Sequence, residues 1–65
     1  MATAEQTVHM ALELGRQGRP RDGIAQLRRL QQRQPNNLLV SAVLGQLLMQ
    51  AGEAEQAIFQ FERCV

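Results

Sequence analysis

His9 is the only histidine of the chain, and Glu5 and Glu13 stand four residues to either side of it. On a helix these three side chains share one face, which is the spacing of an acid–base pair or of a metal-ligand set. It is equally the spacing of an exposed charged ladder, and the neighbouring Gln6 and Arg16 favour the ladder. Cys64 is the only cysteine. A reactive thiol needs a base or a cation cluster beside it to hold the thiolate, and only Arg63 is adjacent. One cysteine allows no internal disulfide, and there is no His/Cys cluster with metal-ligand spacing. Gly15, Gly18 and Gly23 are too scattered to form a phosphate loop, and no Ser/His/Asp set or enclosed carboxylate pair occurs. These residues predict no enzyme, no catalytic or metal-binding residue and no cofactor.

Arginine supplies all seven basic residues, six of them between Arg16 and Arg33, in a chain of formal net charge +1. Arg21, Arg28, Arg29 and Arg33 fall on the outer side of one helix, where guanidinium groups could meet phosphates. No aromatic side chain is interleaved for base stacking, so a solvated convex face is favoured over nucleic acid. Phe59, one of two aromatic residues, falls among Glu55, Gln56 and Arg63 and off the apolar stripe of its helix. It and Val65 are candidate contacts to a second copy or to a following segment.

The elements that must carry these residues are helices. With 45% hydrophobic residues, two Phe and neither Trp nor Tyr, the composition suits Leu/Ala-rich helices over sheets. No run approaches the roughly 18 apolar residues of a membrane span, and the N-terminus lacks the basic-then-apolar pattern of a secretory signal. The expected location is cytoplasmic, without membrane attachment. A chain of 65 residues makes one small domain, and below roughly 70–80 residues a single core is marginal without association or staples.

The first helix is expected from about Ala4 to Gln17, with Val8, Met10, Ala11, Leu12, Leu14 and Gly15 on its apolar side. Gly18 closes it in the left-handed conformation. Pro20 opens a second helix, to about Arg33, whose stripe is Gly23, Ile24, Leu27 and Leu30. Pro35 stops that helix and Asn36 or Asn37 caps the next. The third, Leu38 to Gln50, is apolar almost all round and must be buried on more than one side. Gly52 closes it, and a fourth is expected from about Glu53 to the chain end, with Ala54, Ala57, Ile58, Phe61 and Val65 inside.

Gln34-Pro35-Asn36-Asn37 is a joint, and the spacing before it recurs after it. Gly18 recurs as Gly52, Met10 as Leu44, Ala11 as Gly45, Leu14 as Leu48, Gly23 as Ala57, Leu27 as Phe61 and Leu30 as Cys64, each 34 residues on. A fixed offset that preserves residue size marks a helical repeat array. On these residues the chain resembles the tetratricopeptide repeat over residues 4 to 65. It departs from that family in lacking the usual aromatics at Thr7, Leu14, Ser41 and Leu48, and in carrying Gly23 where alanine is usual. The resemblance implies an all-α fold of two helix-turn-helix hairpins, four antiparallel helices that begin an α-solenoid. The expected single domain, residues 1–65, divides into repeats of about 4–37 and 38–65, the last helix cut short.

In stacked repeats the first helix of each repeat packs back on its predecessor. Those positions are Val40, Val43 and Leu47 in the second copy but Gln6, His9 and Glu13 in the first, so residues 4–17 are expected to form a solvated N-terminal cap. The apolar stripe is unfinished at Cys64-Val65. Either a continuation of the chain or a second copy is expected there, and hence a homo-oligomer in the latter case.

What the family resemblance implies about function is protein binding in a concave groove lined by the first helices. Val8, Leu12, Leu39, Ala42, Gln46 and Met49 are the candidate groove residues, bordered by Glu5, Arg16, Asn37 and Gln50. The Lys/Asn/Arg clamp that some members use for acidic tails is missing at Val8, Leu12 and Ala42. A mostly aliphatic groove with an adaptable Met suits an apolar helix or peptide. The expected function is a non-catalytic interaction or scaffold module. The alternative is a targeting segment at the N-terminus of a larger enzyme, such as the glycosyltransferases and sulfotransferases to which such repeats are fused.

Overall fold

A computed structural model describes residues 3–64, which form four helices: α1 (Ala4–Arg16), α2 (Pro20–Arg33), α3 (Leu38–Gln50) and α4 (Ala54–Glu62). The described residues contain no strand. The bounds of α2 and α3 are those the sequence signals. α1 stops one residue short of expectation, and α4 is confined to Ala54–Glu62 where a helix from Glu53 to the chain end was expected. Val65, expected in the buried stripe, lies outside the described residues.

Local chemistry accounts for each boundary. Thr3 caps α1 by accepting from the Gln6 backbone N–H at 3.1 Å, while the Gln6 side chain accepts from the Thr3 N–H at 2.9 Å. Two free donors of the first turn are thereby satisfied reciprocally. Pro20 opens α2, where its missing N–H costs nothing. The Asn37 side chain caps α3, accepting from Leu39 N–H at 3.1 Å and Val40 N–H at 3.4 Å. Gly18 and Gly52 adopt φ of 81° and 82°. Each is followed by a backbone N–H, of Arg19 and of Glu53, that reaches back to Leu14 and to Leu48 at 2.8 Å. The two hairpin turns are therefore the same structure, 34 residues apart.

Neighbouring helices pack in sequence order, and α3 also touches α1. The core holds Ala11, Leu27, Val40, Leu44 and Leu48 at its most enclosed positions. Small residues let backbones approach: a Cβ on Gly23 would lie 2.7 Å from the Ala11 carbonyl oxygen, and one on Gly45 would strike the Phe61 ring. A polar link takes the place of the missing aromatic at Ser41. Its buried hydroxyl accepts from Gln31 Nε2 at 3.1 Å, and the same amide donates to Gln60 Oε1 at 2.7 Å, tying α2 to α4.

Several apolar residues are more exposed than the stripe pattern predicts, among them Ala54, which lies exposed in the first turn of α4 where nothing in the described chain covers it. Leu14 is half-buried. Met10 is 54% exposed although its counterpart Leu44 is sealed. Met10 shares the side of α1 that carries Gln6, His9 and Glu13, all exposed as expected, and no described residue covers that side. Ile58 and Phe61, expected in the core, are 55% and 39% exposed. Phe61 lies over Gly45 of α3 with part of its ring open, and nothing in the described chain covers the exposed parts of Ile58 and Phe61.

Candidate functional site

The third helix positions the candidate site because only two of its sides are occupied. Leu47 reaches α1 and α2, lying against Gly15 and Gly23, and Val40, Val43 and Leu44 are buried along the same flank. Gly45 lies under the Phe61 ring of α4, with Ser41 and Leu48 buried beside it. At about 100° per residue, Leu38, Met49, Ala42, Gln46, Leu39 and Gln50 fill the remaining arc in that order. None of these six is buried.

The candidate groove residues divide on this frame. Leu39 (49% exposed), Met49 and Gln46 are open to solvent, and Ala42 is half-buried. Leu12 is half-buried against the core. Val8 does not line an open groove: it is 4% exposed and belongs to the core cluster. The helices packed on α1 enclose it, and periodicity alone assigns a residue to a side of its helix without saying whether a neighbour covers that side. Glu5 and Arg16 border Leu12 on α1 and are exposed. Asn37 is committed to its cap. Gln50 spans the two first helices, its Nε2 donating to the Gly15 carbonyl at 2.6 Å. The open arc of α3 thus presents Leu39 beside Gln46 and Gln50, and Leu12 on α1 is bordered by Glu5 and Arg16. The candidate groove is more polar than the sequence suggested.

Apolar surface is concentrated instead at the free side of the second hairpin. Leu38 and Met49 on α3 and Ile58 and Phe61 on α4 are all exposed. Leu38, Ile58 and Phe61 were not read as surface residues from sequence. The signal that could have found them was the all-round apolarity of α3, which needs a neighbour on its third side.

The remaining reactive residues are dispersed. His9, Glu5 and Glu13 are exposed, and Glu13 lies 3.5 Å from the Arg16 guanidinium. Cys64 is half-buried, its Sγ 3.6 Å from the carbonyl oxygens of Leu38 and Gln60. No cluster of three His, Cys, Asp or Glu side chains suited to a metal ion occurs among the described residues. Two open depressions of about 410 and 400 Å3 sit at the hairpin turns, around Gly52–Gln56 and around Gly18–Asp22 with Ala51, away from the concave surface.

Four of the six arginines between Arg16 and Arg33 are engaged, Arg16 with Glu13 as above. Arg19 pairs with Asp22 at 2.7 Å, Arg21 with Glu53 at 3.7 Å, and Arg28 donates to the Gln56 side chain. Arg28 is thus a link between α2 and α4, where a free convex cation was expected. Arg29 and Arg33 have no side-chain partner among the described residues. Phe59 is 58% exposed on the outer side of α4, and Val65, its companion as a candidate oligomer contact, lies outside the described residues.

No helix is long and apolar enough to cross a membrane. Comparison with curated proteins and with solved structures yields no match. Residues 14–63 match the tetratricopeptide repeat family, whose members mediate protein–protein interaction and are typically non-catalytic scaffolds. The match covers the end of α1, all of α2, α3 and α4 and both left-handed glycine turns, and the chain belongs to the tetratricopeptide repeat family.

Proposed function

We propose that the chain is a non-catalytic interaction module that holds an apolar helical or peptide segment of a protein partner on its concave surface. The observation that carries this is the open third side of α3, where Leu39 stands half exposed beside Gln46, Ala42 and Met49. Leu12 continues that apolar strip onto α1, and the flexible Met49 adapts to different partners. Glu5, Arg16 and Gln50 border it and give polar contacts that orient a bound segment.

The test compares interactors retained by immobilised chain and by two variants, quantified by mass spectrometry. Leu39→Glu puts an unpaired charge at the centre of the strip and should strip away the partners that wild type enriches. Arg29→Glu, on the convex side without a side-chain partner, should leave that set unchanged, and both variants should keep full helical circular dichroism. If Leu39→Glu retains the same partners while Arg29→Glu loses them, the concave surface is not the site.

Self-association is a second reading, favoured by Phe59, a large aromatic exposed where its counterpart in the first repeat is Ala25. Sedimentation velocity over a broad concentration range should show a mass that rises with concentration, as mass action requires. Phe59→Ser should return it to that of a monomer. A monomer at millimolar concentration would dismiss this contact.

A further inference from the structure

The two hairpins, compared at the 34-residue offset, differ in what covers them. Ile24 and Leu27 of α2, the helix on which α3 packs, are 6% and 0% exposed, while their counterparts Ile58 and Phe61 are 55% and 39% exposed. On the first helices, Ala4, Val8 and Gly15 are half-buried or buried, and their counterparts Leu38, Ala42 and Met49 are open or half-open. Leu38, Ala42, Met49, Ile58 and Phe61 are thus the image, one repeat on, of a surface that the molecule itself closes with a helix.

The edge of that surface has changed sign. In the first repeat it carries Arg21 and Arg28, which reach across to Glu53 and Gln56 of the covering hairpin. Their counterparts at the offset are Glu55 and Glu62, both exposed. The asymmetry runs through the whole chain. Residues 1–37 hold six arginines against three carboxylates, and residues 38–65 hold one arginine against three. Positions on this edge face whatever covers the apolar stripe, so here they face it with negative charge.

Side-chain size has shifted too. Gly15, which admits Leu47 and Gln50 so closely that a Cβ would lie 2.6 Å from Leu47 Cδ2, becomes Met49, and Val8 becomes Ala42. A helix docked there meets bulk at the Met49 end and room at the Ala42 end, so it cannot repeat the approach that α3 makes to α1.

We infer that the face formed by Leu38, Ala42, Met49, Ile58 and Phe61, edged by Glu55 and Glu62, binds an amphipathic helix whose apolar stripe is flanked by basic residues. The stripe repeats the spacing of Val40, Val43, Leu44 and Leu47, because that pattern closes the equivalent face of the first hairpin. The basic flank meets the carboxylates, which supplies direction and partner choice more than gross affinity. A second copy does not offer this: α2 has basic flanks but a buried stripe, and the open side of α1 is polar, with Gln6, His9 and Glu13 around one Met.

The test uses the whole chain and two synthetic helical peptides with Val and Leu at the α3 spacing, one bearing three Arg on one flank and the other three Glu there. By fluorescence anisotropy the Arg peptide should bind roughly tenfold tighter than its Glu twin at low salt, and the gap should narrow as salt screens the edge. Glu55→Arg combined with Glu62→Arg should reverse the order of the peptides. Ile58→Asp should abolish binding of both, and Arg29→Glu, on the outer side of α2, should leave both intact. Because these side chains are exposed, the variants should match wild type in circular dichroism, and the double reversal decides the matter if Ile58→Asp does not fold. Equal affinities, no binding, or loss with Arg29→Glu but not Ile58→Asp would overturn the assignment while leaving the concave surface to its own test. So would a wild-type dimer that Ile58→Asp converts to monomer, since a second copy would then occupy the face.

Discussion

A Cβ placed on Gly23 would lie 2.7 Å from the Ala11 carbonyl oxygen and 3.2 Å from its Cα. Both atoms are backbone, so α1 and α2 must move apart to admit a methyl group. At Gly15 the nearest atoms are the side-chain ends of Leu47 and Gln50, which can yield more cheaply. Alanine improves intrinsic helix propensity over glycine by about 1 kcal/mol, and overpacking a tight contact costs about 1–3 kcal/mol. Gly23→Ala should therefore destabilise the chain, by up to about 2 kcal/mol net, although alanine is the usual residue at this place in the repeat. Gly15→Ala should fall closer to neutral. Urea unfolding followed by circular dichroism measures both, and a Gly23→Ala chain more stable than wild type would refute the close-approach explanation. The size pattern across the 34-residue offset made small residues at Ala11, Gly23, Gly45 and Ala57 legible in the sequence. The approach at Gly23, too close to admit a Cβ, was not, since it depends on how near two backbones come.

Helix boundaries were legible because short-range chemistry sets them. Pro20, Pro35, Asn37, Gly18 and Gly52 each act on their own backbone or on residues within three positions. The exception is α4, whose helical conformation ends at Glu62 without a proline or glycine to stop it and which, like α2, lacks a side-chain N-cap. Glu53 pairs with Arg21 of α2 in place of capping. The caps that do exist differ in what depends on them. Asn37 satisfies two N–H groups at the start of α3, the helix that touches all the others. Asn37→Ala should cost about 1 kcal/mol, and Asn37→Asp or Asn37→Ser should restore most of it. Thermal unfolding of the three variants checks this, and equal melting temperatures for Asn37→Ala and wild type would show that the cap contributes nothing. The faces of these helices were less legible than their ends. Val8, Met10, Ile58 and Phe61 all lie on apolar stripes as the period predicts, yet only Val8 is sealed. Whether a stripe is covered is decided by neighbours distant in sequence, present for Val8 and absent from the described chain for Ile58.

Across the whole molecule, support is uneven from one end to the other. The principal extents of 32 × 27 × 14 Å describe a flat stack. α1, α2 and α3 each bury several residues in the common core, whereas Ala57 is the one buried residue of α4. At backbone distance α4 touches α3 alone, and its other ties are long polar side chains: Gln31 to Gln60, Arg28 to Gln56 and Arg21 to Glu53. The ion pair Arg21–Glu53 contributes about 0–1 kcal/mol and the two side-chain hydrogen bonds about 0.5–1.5 kcal/mol each, less than a covered apolar face at roughly 25 cal/mol per Å2. Few buried contacts and many solvent-facing bonds mark a segment that opens before the rest. Amide hydrogen exchange should accordingly find α4 the least protected helix, opening at a free energy below that of α1–α3. Its amides should gain protection when the Arg-flanked peptide covers Ile58 and Phe61, because that ligand supplies the neighbour which the second hairpin supplies to α2. Protection in α4 equal to that of α3 in the free chain would mean that the polar ties hold α4 as firmly as core burial does, and that its uncovered face is no source of instability.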